Sequence, residues 1–346
     1  MKLNRYKQSL ALVILLFFIL VLPCQAQLPK EIGAKPAALK HQWKGLLGKY
    51  KCGAEEYQLL EKNGTLYMWS KNSGYITLKE KGKDVFITLP PDKFGMGTLR
   101  FSRQKNGEAD RVSWGKVMFT REFYGSEGGK TFKIKLLHPV ESLRDEAMKA
   151  VPPEENGIFN NSELKEVVKL DPAIKLDIRY ATSNNFMGAA FYSEPRAFLQ
   201  KPAAEALVRV KARLAKLGYG ILIYDAYRPW YVTKMFWDAT PESQKVFVAN
   251  PAKGSRHNRG CAVDLTLIDL KTGKPVEMTS GYDEFSERAY SDFVGDTSLA
   301  RWNRSLLRKC MEDEGFTINP EEWWHYDYKG WQSWKIMNIP FEKIEQ

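Results

Sequence analysis

The sequence predicts an α+β protein in two parts: a small all-β barrel or sandwich over 38–138, and a mixed domain over 163–346, joined through 139–162. Three observations predict it. Short apolar stretches recur at close, regular spacing through the first part, separated by turn dipeptides. In the second part a helical period takes over, with Leu207, Val210, Leu214 and Leu217 on one face. Between them stands a breaker run, Pro152-Pro153-Glu154-Glu155-Asn156-Gly157.

Residues 1–26 read as a signal peptide: Lys2, Arg5 and Lys7 precede the apolar run Leu10 to Leu22, and Cys24-Gln25-Ala26 offers small residues for cleavage before Gln27. A lipoprotein anchor at Cys24 fits poorly, because Pro23 stands just before it. A spanning helix is disfavoured by the shortness of the run. Export to the bacterial periplasm or beyond is expected, with no transmembrane segment left after processing. The formal charge of +11 includes these three cations, so +8 remains on the mature chain. Lys and Glu are interspersed without a basic block, which describes a solubilising surface and argues against nucleic acid as a partner. Cys52, Cys261 and Cys310 remain after the leader, so at most one disulfide is expected, and spacing does not assign it.

In the first part the expected strands are Tyr57 to Leu60, Leu66 to Trp69, Tyr75 to Leu78, Val85 to Leu89, Thr98 to Ser102, Val112 to Phe119 and Phe132 to Leu136. Turn signals fall at Asn63-Gly64, Ser73-Gly74, Lys81-Gly82, Asn106-Gly107 and Gly128-Gly129. The aromatics Tyr57, Tyr67, Trp69, Tyr75 and Trp114 suit core filling better than a sugar-stacking face. No catalytic constellation occurs here, and an accessory role follows, either binding peptidoglycan or steadying the rest.

Ser142 to Val151 reads as a short connecting helix capped by Ser142. Pro202 and Gly218 bracket a longer one at the positions these residues favour. Gly220 to Tyr224 is a buried strand, followed by Asp225-Ala226-Tyr227-Arg228-Pro229 and a helix from Trp230 to Trp237. Ser298 caps an amphipathic helix that Gly315 stops.

Of four histidines, His257 lies seven residues before Asp264, at the start of an apolar run, and His325 lies three after Glu322. Two imidazoles and one carboxylate are the usual protein share of a catalytic zinc site. A further carboxylate beside the metal's water serves as general base. Cys261 is a possible soft ligand that reads better as packing. The long pattern Ser255-x-His257-x-x-Gly260-x-Ala262-x-Asp264, followed by Glu322-Trp323-Trp324-His325, resembles the D-alanyl-D-alanine dipeptidases of the VanX type. Asp177-Ile178-Arg179-Tyr180-Ala181-Thr182, Asn185-Phe186 and Asp225-Ala226-Tyr227-Arg228-Pro229 extend the likeness from about Leu164 to Lys343.

The resemblance implies a small antiparallel sheet flanked by helices, the D-Ala-D-Ala peptidase and Hedgehog-like fold. It implies one zinc ion held by His257, Asp264 and His325, with Glu322 as base. Arg228 would contact the scissile carbonyl oxygen and Ser255 the substrate. Asp283, in Met278-Thr279-Ser280-Gly281-Tyr282-Asp283, would bind the dipeptide's ammonium, although the family commonly has Met-Gly where this chain has Met-Thr-Ser-Gly. An extended 322–325 would part Glu322 from His325, so a turn or bulge is expected there. Two other readings stay open: a zinc D,D- or L,D-carboxypeptidase on peptidoglycan stems, and a non-catalytic wall-binding protein with a relic zinc site.

Overall fold

The computed structural model describes residues 32–89, 97–124 and 133–344; the leader and Gly128-Gly129 lie outside them. Eight strands, β1 (Gly48–Cys52), β2 (Glu55–Lys62), β3 (Thr65–Ser70), β4 (Gly74–Gly82), β5 (Val85–Leu89), β6 (Thr98–Arg103), β7 (Ala109–Trp114) and β8 (Val117–Glu122), close into an antiparallel barrel in which β8 pairs back onto β1. Alternation puts Tyr57, Leu59, Trp114 and Phe119 inside, fully buried. Tyr57 meets the rings of Trp114 and Phe119 edge-on at 4.9 and 5.7 Å. Tyr67 and Trp69 are half-buried and Tyr75 is exposed, so the aromatics split between core and outer wall.

Four details differ from expectation. The run Val112 to Phe119 is two strands, broken by a turn at Gly115, whose φ of 60° suits glycine. The turn placed at Lys81-Gly82 falls at Lys83-Asp84, with Asp84 at φ 58°, because a bulge after Glu80 shifts the register. β1 was not anticipated. Residues 133–136 form no strand, since the barrel is already closed and Ile134 joins the other core, donating its N–H to the Phe186 carbonyl.

α1 (Val140–Lys149) buries Leu143 and Ala147 in that larger core, so the connecting segment begins as part of the second domain's packing. Its cap position is Pro139, not Ser142. There follow β9 (Leu164–Glu166), α2 (Val167–Leu170), β10 (Lys175–Leu176), β11 (Phe198–Gln200), α3 (Lys201–Lys216), β12 (Tyr219–Asp225), α4 (Trp230–Ala239), β13 (Ala262–Asp269), α5 (Ser298–Glu312), β14 (Phe316–Asn319) and β15 (Glu322–Tyr328). The central sheet runs β10-β12-β13-β15-β14. It is mixed rather than wholly antiparallel, because the short β10 lies parallel to β12. α3 ends where Gly218 takes φ 85°. α5 is capped by Thr297, whose Oγ1 accepts the Ala300 N–H at 2.9 Å; Ser298, expected in that role, is engaged by the barrel. Cys52, Cys261 and Cys310 are free thiols.

Candidate active site

Three neighbouring strands and one turn assemble the site. Asp264 sits on central β13, opposite Asp225 of β12 and opposite His325 of β15. His257 opens a 3-10 turn that ends at Gly260, where φ is 68° and an added Cβ would lie 2.7 Å from Leu164; only glycine fits there. This turn swings His257 back over the sheet. It is stitched to the β12–α4 connection, since Arg228 N–H donates to the His257 carbonyl at 3.1 Å and Asn258 Nδ2 to the Arg228 carbonyl at 2.8 Å.

His257, Asp264 and His325 are buried, and their donor atoms lie within 4.8 Å of one another. Asp264 Oδ1 is 3.0 Å from His325 Nδ1 and 3.5 Å from His257 Nε2, and this oxygen makes no hydrogen bond among the described residues. A buried, unsatisfied carboxylate oxygen between two ring nitrogens fits a small divalent cation. Each ring is oriented from behind. His257 Nδ1 meets the Ala226 carbonyl at 2.7 Å, and His325 Nε2 meets Asp327 Oδ1 at 2.9 Å, with Arg256 on the other Asp327 oxygen at 2.8 Å. Such partners behind a ligating imidazole fix its tautomer and raise its basicity.

Burial would lower the pKa of His325, but Asp264 and Asp327 push it well above the ordinary imidazole value. Asp264 is held low: burial opposes this, and the two histidines outweigh it. A cation bound between them would take both imidazoles in their neutral form, so its affinity should fall with pH.

Glu322 reaches the same spot by a bulge. The β14–β15 pairing jumps from Ile318↔Tyr326 to Asn319↔Glu322, so β15 carries extra residues and the expected irregularity is present. Glu322 Oε2 thus lies 3.7 Å from His325 Nδ1 and accepts Asn319 Nδ2 at 2.9 Å. Burial, with Asp264 adding to it, raises its pKa above the usual glutamate value. The neighbouring Glu321 is exposed and points no carboxylate into this cluster. Trp324 walls the cavity, whereas Trp323 turns away to donate to Ser280 Oγ at 2.8 Å.

A cavity of about 410 Å³ opens in front, lined also by Arg228, Ser255, Asp283 and Tyr180. Arg228 is buried and clamped by Asp225, Nη2 to Oδ2 at 2.6 Å, and its guanidinium lies over the Tyr180 and Phe236 rings. Asp225 in turn accepts the Tyr192 hydroxyl at 2.5 Å. Ser255 accepts the His257 N–H on its Oγ at 3.3 Å. Asp283 stands at φ 55°, buried, with the Tyr180 hydroxyl donating to it at 3.1 Å. Burial, then Asp264 and Glu322, push its pKa well above the aspartate value. Cys261 is buried outside the cluster, its thiol pushed up to about 12 by burial.

His257, Asp264, His325, Glu322, Arg228, Ser255 and Asp283 therefore all line one cavity, and Cys261 does not. Sequence reasoning missed the roles of Tyr180 and Tyr282, which donate to Asp283 and Asp264. It also missed Asp327 and Asn319 behind His325 and Glu322. Asp327 had one signal available: it follows His325 at a spacing that puts both on one strand face.

A His₂Asp cluster with an open side, a free carboxylate beside it and a buried arginine across from it defines a metallopeptidase centre. The sequence profile of the D-ala-D-ala dipeptidases, peptidase M15, matches residues 160–341. Proteins called D-alanyl-D-alanine dipeptidase are similar over the same half. One from Escherichia coli is 34% identical, covering 53% of this chain and 93% of its own length. One from Enterococcus faecalis is 36% identical, with 44% and 85% covered, and one from Streptomyces coelicolor 33%, with 47% and 90%. The chain belongs to the D-ala-D-ala dipeptidase family, with the barrel standing ahead of the matched region.

Proposed function

We propose that the protein is a zinc D-Ala-D-Ala dipeptidase of the bacterial cell envelope. A zinc ion held by His257, Asp264 and His325 would supply Lewis-acid polarisation of water and of the scissile carbonyl. Glu322, 3.7 Å from His325 Nδ1 and held by Asn319, takes the attacking water's proton and returns it to the leaving amine. Arg228, which cannot lose its proton and is held rigid by Asp225, stabilises the charge developing on the carbonyl oxygen. Ser255 contacts the substrate at the rim of the His257 turn.

The observation that carries the choice of substrate is Asp283. It is a buried carboxylate lining the same cavity as the metal cluster, its pKa raised by burial and then by Asp264 and Glu322. A substrate ammonium there supplies a compensating positive charge, which favours a peptide whose free amine lies one residue from the cut. Zinc-loaded protein is expected to release D-alanine from D-Ala-D-Ala and to leave a pentapeptide stem intact. Preference for the stem would make it a carboxypeptidase. Failure on both, with or without chelator, would make the site a relic.

The charged start and apolar run of residues 1–26 support export to the periplasm or medium, and N-terminal sequencing of the mature chain for a start at Gln27 tests it. No helix among the described residues is long and apolar enough to cross a membrane. Peptidoglycan contact through the barrel would use the outward Tyr67, Trp69 and Tyr75, whose rings cluster at 5.7 and 6.4 Å; a pull-down on purified wall sacculi checks it.

A further inference from the structure

The loop 270–297, joining β13 to α5, brings Asp283 and Phe285 to the cavity and Tyr282 onto Asp264. Its longest regular element is the 3-10 turn Glu287–Ala289. Asp283 and Asp296 both adopt left-handed backbone, at φ 55° and 68°, which a non-glycine residue holds only when its surroundings impose it. On its inner side the loop is pinned to the peptidase core by Trp323 on Ser280 and by Arg304 on the Tyr290 and Phe293 carbonyls.

On its outer side the barrel holds it at two points. Lys49 of β1 reaches Glu287 at 2.5 Å, and the Tyr124 hydroxyl donates to the same carboxylate. At the loop's far end Glu61 of β2 acts as a cap supplied by the other domain. Its Oε2 accepts the Ser298 N–H at 2.7 Å, its own N–H donates to the Asp296 carbonyl at 3.1 Å, and its carbonyl accepts Arg301 Nη2 at 2.6 Å. The first grip is well shielded. The Lys49 side chain is 11% exposed and is shared by Glu287, Glu56 at 2.6 Å and Glu122 at 3.8 Å. Removing that cation takes Glu287's partner from the barrel and leaves it facing Glu56 and Glu122, which only Lys51 then balances, so the loop loses its hold on the barrel.

We propose that the barrel is a positioning part of the active site: Lys49, through Glu287, and Glu61, through the start of α5, hold loop 270–297 so that Asp283 stays aimed at the substrate's ammonium. The inference rests on Asp283 receiving that ammonium. Its test compares zinc-loaded full-length Lys49→Met and Lys49→Arg with Lys51→Met. Lys51 lies on the same strand and pairs with Glu122 and Glu56; among the described residues it makes no ion pair with the loop and acts on Glu287 only through longer-range charge. Lys49→Met is expected to raise KM for D-Ala-D-Ala roughly tenfold with a smaller change in kcat, because the metal ligands and Glu322 lie outside the loop. Lys49→Arg should restore most of it, and Lys51→Met should resemble wild type. Amide hydrogen exchange of the same proteins should show faster exchange over 281–290 in Lys49→Met only. KM and exchange both unchanged in Lys49→Met, or an equal effect from Lys51→Met, would overturn the proposal. Should the wild-type chain fail to cleave the dipeptide, the functional reading falls, and the exchange measurement alone still decides whether Lys49 holds the loop.

Discussion

The barrel and the peptidase sheet bury charge in opposite ways. Inside the barrel the core is hydrocarbon and aromatic ring. Its buried charged groups are Lys49, Glu61 and Arg121; the first two are spent on the seam with the peptidase half, and Arg121 on Glu108. The peptidase half sinks His257, Asp264, His325, Asp283 and Arg228 around a single cavity, with Asp225 clamping the arginine from behind. Desolvating an ionised group is expensive unless a partner compensates it. Asp264 Oδ1 and Asp283 are two places at the cavity where compensation from the protein is incomplete. On the proposed function, a metal ion and a substrate ammonium would complete it. One region is built for stability; the other carries strain that function resolves.

The largest effect that would sharpen this contrast is expected at Glu322. Glu322→Gln should keep its zinc and its fold and lose roughly 10³-fold or more in kcat on D-Ala-D-Ala; near wild-type turnover would remove Glu322 from proton transfer. Behind the ligands, Asp327→Asn should weaken zinc binding by about 10- to 100-fold, because His325 loses the partner that orients its ring. A competition titration against a chelator measures this. In the barrel the expected outcome is reversed. Leu59→Ala, at a fully buried position, should cost about 2–5 kcal/mol of stability and lower Tm, with zinc content unchanged and kcat preserved well below the transition. A barrel-core change that abolished zinc binding in folded protein would erase the distinction.

What was legible in the sequence follows the range of the interactions involved. Asn63-Gly64 specifies its own hairpin, with φ of 50° and 79°, and the turn is where it was expected. α3 announces both ends through Pro202 and Gly218. β1 was hidden because Lys49 and Lys51 flank its one large apolar residue, Tyr50, and Lys49 answers to Glu287, far along the chain. Ser298 resembles a cap, yet its hydroxyl accepts the N–H of Asn63 across the domain seam, leaving Thr297 to cap α5. At the site, residues whose chemistry is rare stood out: two of four histidines, each near an acid. Tyr180 and Tyr282 did not, because tyrosine is common here and the role of each depends on a hydroxyl meeting an acid remote in sequence.

The central claim is that His257, Asp264 and His325 together bind one zinc ion. Calorimetric titration of the metal-stripped full-length protein, at two pH values and in two buffers of different ionisation enthalpy, tests it most directly. One site per chain is expected, with protons released increasingly as the pH is lowered, since zinc takes imidazoles in their neutral form. Affinity should therefore fall as pH falls, and binding should be lost in His325→Ala. Zinc bound equally well by His325→Ala, or no binding by the wild-type chain at neutral pH, would contradict it.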